Sequence, residues 1–214
     1  MRMKLIVSVF AAGALLGAAQ AEATVCVANM SLSTWAGMAG GCTDSDGDTT
    51  YILKSQSLNW NNTSASVNIG ETSDELNSVT VGGFNGPGGE LPQNALPYTL
   101  NYTVDHFNGS ELFYGAQADT LATGGVATLK KTIDFPLGGT SVTMTSTGGI
   151  PSPYTSFDPT QLLDVTDIVN TNGSSLLGFQ NTYSDVPEPG SMLLLGIGLM
   201  GLAYNGKKKL IQSV

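Results

Sequence analysis

Through the middle of the chain, apolar residues recur at every second position. In YTLNYTV, Tyr98, Leu100, Tyr102 and Val104 fall on one face, with Thr99, Asn101 and Thr103 on the other. In VATLKKTIDF the same period aligns Ala127, Leu129, Lys131, Ile133 and Phe135, with Lys131 as the misfit. YILKSQSLNW and NSVTV read similarly, and SVTMTST sets Thr143, Thr145 and Thr147 along one side of an edge-like strand. A period of two rich in β-branched and aromatic residues means strands. Turn formers separate them: SDGD, NNTS, GGFNGPGGELP, ATGG, PLGG and STGG. About eight short strands at this spacing predict one all-β domain, a β-sandwich of jelly-roll-like kind. A helical turn or two is predicted to begin at Asp158, with Pro159 at the first helical position and Gln161 three residues after the cap.

At both ends the alternation gives way to unbroken apolar runs. Arg2 and Lys4 precede LIVSVFAAGALLGA, and small residues for cleavage follow at Ala19–Ala21 and Ala21–Ala23. This predicts a signal peptide over residues 1–23, removed by signal peptidase after Ala21 or Ala23. The acidic β-rich domain then runs over residues 24–185. Near the other end, Met192–Ala203 has no polar side chain and Tyr204 closes it. As a helix, 191–204 is about 21 Å long, against a hydrocarbon core of ~30 Å. It can hold the chain at the inner membrane transiently, with Lys207, Lys208 and Lys209 retained on the cytoplasmic side. Gly196, Gly198 and Gly201 spell the dinucleotide pattern G-x-G-x-x-G. That turn works only between a strand and a helix, with an acidic ribose partner about twenty residues on. No Asp or Glu follows Gly201, so these glycines are small residues of an apolar helix.

Charge narrows the function classes. All seventeen acids lie between Glu22 and Glu188, where the only bases are Lys54, Lys130 and Lys131. A nucleic-acid partner needs Lys or Arg to displace phosphate counterions, so that class is excluded. Cys26 and Cys42 are the only cysteines. Two thiols in an exported chain predict one disulfide, with two separate buried thiols as the alternative. A two-cysteine metal site lacks partners, because His106 is the only histidine.

Val186, Pro187, Glu188 and Pro189 form an extended strip that can be neither helix nor central strand. This strip, then the apolar helix 191–204, then the basic cluster Lys207–Lys209, strongly resembles the PEP-CTERM sorting signal of exported bacterial proteins. The same region is also catalogued as an ice-binding-protein C-terminal domain. The resemblance spans residues 186–209, and its basic residues are Lys where Arg is more usual. It implies that the chain is exported and recognised at Val186–Pro189 by an exosortase-type membrane transpeptidase. Cleavage there releases the chain to the cell surface or joins it to an acceptor. It also implies association with exopolysaccharide and biofilm matrix, with no catalytic role for the motif itself.

Within the body, each candidate site stands on its own residues. Asp44, Asp46 and Asp48 place three carboxylates at alternate positions, as a calcium loop does. Thr49 and Ser55 occupy the places where an EF-hand needs Gly and Glu, so this is either another kind of calcium loop or an acidic hairpin turn. His106 follows Asp105, but neighbours in a strand point to opposite faces, so Asp105 cannot orient it. No G-x-S-x-G elbow is present. No catalytic residue or resident cofactor is assigned. The first reading is a structural or adhesive matrix protein and not an enzyme. A carbohydrate-binding module, calcium-assisted through Asp44–Asp48, is the alternative. A glycosidase, which needs two carboxylates facing each other across a cleft, is a third.

Overall fold

The computed structural model describes residues 24–45, 47–57, 65–73, 76–83, 97–106, 111–122 and 125–187, together with Ile197 and Met200. Within them the chain is all-β, built as two sheets that face each other across one core.

The first sheet has seven strands: β1 (Thr24–Val25), β3 (Cys42–Thr43), β4 (Thr49–Gln56), β7 (Tyr98–His106), β12 (Leu162–Asn170), β9 (Thr128–Asp134) and β10 (Val142–Thr147), in that spatial order. The second has six: β11 (Thr155–Thr160), β8 (Glu111–Leu121), β13 (Gly178–Pro187), β6 (Leu76–Gly82), β5 (Ser66–Ser73) and β2 (Met30–Ser31). Pairing is antiparallel throughout, except that β1 runs parallel to β3.

The alternation in the sequence is the alternation of burial. Tyr98, Leu100, Tyr102 and Val104 of β7 all face the core, and so do Leu129, Lys131 and Ile133 of β9. Thr143, Thr145 and Thr147 lie exposed along β10, the edge of the first sheet, while Met144 and Ser146 point inward. Both sheets contribute large buried aromatic side chains to this core, among them Tyr51, Tyr102, Phe113, Phe179 and Tyr183.

The helix falls in a different place from the one expected. Asp158 and Pro159 belong to β11, an edge strand whose register against β8 shifts between Ser156 and Thr160. An edge position with an irregular ladder accommodates a residue that has no N–H to donate. The short helix α1 instead spans Leu32–Gly37. Ser31 caps it, its Oγ accepting from the Thr34 amide at 3.0 Å. Leu32 and Trp35, three apart, bury the same face. Trp35 is fully enclosed, donates from Nε1 to the Tyr51 carbonyl at 3.2 Å and tilts against Tyr102 at 5.7 Å.

Cys26 and Cys42 form the expected disulfide, with Cα atoms 5.0 Å apart. It fastens β1 beside β3, and the Cys26 amide donates to the Thr43 carbonyl at 2.7 Å. No helix among the described residues is long and apolar enough to cross a membrane. The expected signal peptide (1–23) lies outside the described residues. So does the expected apolar helix 191–204 apart from Ile197 and Met200, which are helical and exposed.

Candidate functional site at the end of the last strand

β13 is the central strand of its sheet along most of its length. It is flanked by β6 and β8 up to Ser184, which pairs with Leu76 and Gly115. Among the described residues the ladder with β6 reaches Ser184, and the ladder with β8 runs on to Pro187 after a register shift. Asp185 then lies opposite Phe113, Val186 opposite Leu112 and Pro187 opposite Glu111. A proline has no amide hydrogen, so it fits where a ladder is needed on one side only. The strip Val186–Pro189 thus begins within β13, extended and paired with β8. Glu188, Pro189 and the cluster Lys207–Lys209 lie outside the described residues.

Asp185 is buried and anchors this exit. Its Oδ1 lies 3.1 Å from His106 Nε2, and its Oδ2 accepts from Asn77 Nδ2 at 2.5 Å. The Asn77 carboxamide oxygen in turn accepts from the Tyr51 hydroxyl at 2.5 Å. Burial, and then the nearby Asp44 and Asp185 carboxylates, hold the Tyr51 phenol well above its ordinary range, so it stays a donor. His106 stacks on Phe113 at 3.9 Å, and its Nδ1 sits 3.1 Å from Thr49 Oγ1. The network therefore ties β4 and β7 of the first sheet to β6 and β13 of the second.

Hydroxyl, imidazole and carboxylate follow one another here in the order of a nucleophilic relay. Thr49 is fully buried, however, so its hydroxyl faces protein and no substrate can reach it. The arrangement is a brace. Along the chain the neighbouring carboxylate is Asp105, whereas the one that meets the His106 ring is Asp185, 79 positions away. The one available signal was the apolar face of β7, which continues from Val104 to His106 and so turns the ring inward.

Asp44 and Asp48, in the hairpin between β3 and β4, have separate surroundings. Asp44 is buried, and its Oδ1 accepts from the amides of Gly47 at 3.1 Å and Thr49 at 3.3 Å. Gly47 sits at φ +84°, the left-handed position this tight turn requires. Asp46 lies outside the described residues. Asp48 accepts from the Thr49 hydroxyl at 3.0 Å and gathers with His106 and Glu111, their candidate ligand atoms all within 4.8 Å of one another. One imidazole with two carboxylates suits a borderline metal such as zinc better than calcium, which takes six to eight oxygens (about that number in most sites).

A groove of about 700 Å³ opens beside Leu112, the register partner of Val186. Phe135 and Phe157 meet in its wall at 5.0 Å, and Asp158 and Gln161 line it. Asp158 is the single carboxylate among its lining residues.

The PEP-CTERM protein-sorting motif matches residues 185–208. The match begins at the residue that His106 and Asn77 hold and takes in the strip that follows. It marks an exported, exosortase-sorted surface protein that passes through a membrane-held stage. No curated protein matches the chain.

Proposed function

We propose that this chain, which carries a PEP-CTERM sorting motif, is a structural or adhesive component of an extracellular polysaccharide matrix. The observation that supports it most is the way β13 leaves the sandwich. The last strand passes from two-sided pairing through the anchored Asp185 into the matched motif. A processing enzyme needs an extended substrate strand, and this exit supplies one already extended. A cut at Val186–Pro189 falls at the end of β13, after Asp185, so every other strand of the two sheets stays on the released body. In this reading residues 1–23 are cleaved on export, helix 191–204 and Lys207–Lys209 hold the chain transiently at the inner membrane, and the exosortase cuts at Val186–Pro189. The disulfide fits the oxidising compartment such a route implies.

The test is the intact mass of the protein recovered from the outside of its native cells. A chain ending within Val186–Pro189 supports the reading, and any excess mass identifies the acceptor. A mass that still includes Lys207–Lys209 overturns it.

A second reading is a carbohydrate-binding module. The groove with Phe135 and Phe157 in its wall and Asp158 and Gln161 beside them favours it, because sugars bind through apolar ring faces and a few polar groups. Binding to a glycan array that Phe157→Ala removes supports this role, and retention of all binding in that variant rejects the groove. Repeating the array with chelator tests whether a metal at Asp48, His106 and Glu111, or calcium at Asp44, Asp46 and Asp48, assists.

A further inference from the structure

Between the two sheets lies a second polar cluster, far from solvent. Lys131 of β9, Asp167 of β12 and Asn181 of β13 are all fully buried. Lys131 and Asp167 are register partners in the first sheet, and Asn181 faces them from the second. Asn181 Nδ2 donates to Asp167 Oδ2 at 2.5 Å and to the Tyr102 hydroxyl at 2.8 Å. Tyr102 and Tyr183 share a hydrogen bond at 2.6 Å. Lys131 Nζ sits 3.7 Å from the centre of the Tyr183 ring.

A buried lysine usually survives by pairing with every acceptor in reach, because an unpaired ammonium is costly in a dry core. Here three polar atoms have no hydrogen-bond partner: Lys131 Nζ, Asn181 Oδ1 and Asp167 Oδ1. These are the nucleophile, the carbonyl oxygen and the spare acid oxygen of an acyl transfer. We propose that Lys131 and Asn181 join in an intramolecular amide, with Asp167 carrying the protons, so that β9 of one sheet is covalently tied to β13 of the other.

The protonation states support this chemistry. Burial pushes the Lys131 amine down to about 7, with Asp167 opposing part of that shift. Burial likewise pushes the Asp167 carboxyl up to about 6. The neutral pair, amine and carboxylic acid, is therefore accessible near neutral pH. A desolvated amine is the usual form of an activated lysine nucleophile. Tyr183 is two residues from Asn181 on the same face of β13, so the ring beneath Nζ and the carboxamide are neighbours on that face.

The step balances. The neutral Nζ attacks Asn181 Cγ while Asp167 gives its proton to Oδ1. The Asp167 carboxylate then takes a proton from the new C–N nitrogen and passes it to the carboxamide nitrogen. The Cγ–Nδ2 bond breaks, ammonia leaves, and the Oδ1 proton returns to Asp167 as the carbonyl reforms. A secondary amide replaces an amine and a primary amide, and the acid ends as it began. Enclosure excludes water, which protects the tetrahedral intermediate and the product from hydrolysis. Fixed orientation supplies the proximity that a free amine and amide lack.

The experiment is mass analysis of the full chain, expressed into an oxidising compartment of a host without an exosortase. The expected result is a mass lower than calculated by one ammonia, with a branched peptide joining Lys131 to Asn181 after cleavage at aspartates. Trypsin should also fail to cut after Lys131. A full calculated mass with an acylatable Lys131 amine in the denatured chain overturns the proposal. So does loss of ammonia that maps to any other residue. Asp167→Asn is expected to keep the full mass, and a branched peptide in that variant removes Asp167 from the mechanism. All of these readings are independent of how the tail is sorted.

Discussion

His106 Nε2 and Asp185 Oδ1 meet at 3.1 Å between the sheets, one on β7 and the other buried near the end of β13. Asp185→Ala leaves His106 Nε2 and Asn77 Nδ2 without their acceptor in a buried site. Breaking such a contact from one side costs on the order of 3 kcal/mol. The same variant should also expose the motif strand to limited proteolysis sooner than the native chain. Urea unfolding with timed proteolysis checks both, and an unchanged midpoint would mean that the brace carries no stability.

The disulfide closes the segment containing β2 and α1. Replacing Cys26 and Cys42 together by serine should cost roughly 3 kcal/mol in the chain-entropy description. Denaturation of the double variant in the absence of reductant measures this. A native chain that loses nothing when reduced contradicts it.

Processing should depend on the strip's backbone. Pro187→Ala restores an N–H at a position paired with β8, and with Pro189→Ala it removes both φ constraints. In native cells that double variant should keep its tail, while the sandwich stays as stable as before. Mass spectrometry of the membrane and external fractions decides it, since normal release of the variant shows that the prolines are dispensable.

Asn181→Ala turns the buried amine into a titration probe. With no carboxamide to attack, Lys131 keeps its amine, whose value drops from 10.5 when unfolded to about 7 when folded. Between these the unfolded chain binds more protons, so the Lys131 contribution makes stability rise with pH across that window. Asp167 works in the lower window: its value rises from 3.8 to about 6, the folded chain binds more protons there, and stability falls as pH rises between them. In the native chain with its amine consumed, the Lys131 rise should be absent. Stability against pH measured in parallel for the two proteins checks this, and identical slopes above pH of about 7 would count against the amide.

The local pattern was enough to read the class of fold and many of its inward faces. Period two is a property of neighbouring residues, so Tyr98, Leu100, Tyr102 and Val104 declare a buried face without reference to any partner strand. It even placed Lys131 correctly on the core face, where it looked like an error. The sorting motif was legible for the same reason, being contiguous in sequence. The pairing of Cys26 with Cys42 followed from there being two thiols. The helix expected at Asp158 went astray because propensity at Pro159 was outweighed by pairing of β11 with β8, with a register shift to absorb the proline.

What surrounds each inward residue was settled only by the order of strands in the two sheets. His106 with Asp185, and Lys131 with Asp167 and Asn181, join residues from strands far apart in the chain. Alternation determines which way a side chain points, because the strand backbone itself imposes it. It carries no information about which strand lies opposite, since that depends on long-range pairing and on how two twisted sheets fill one core.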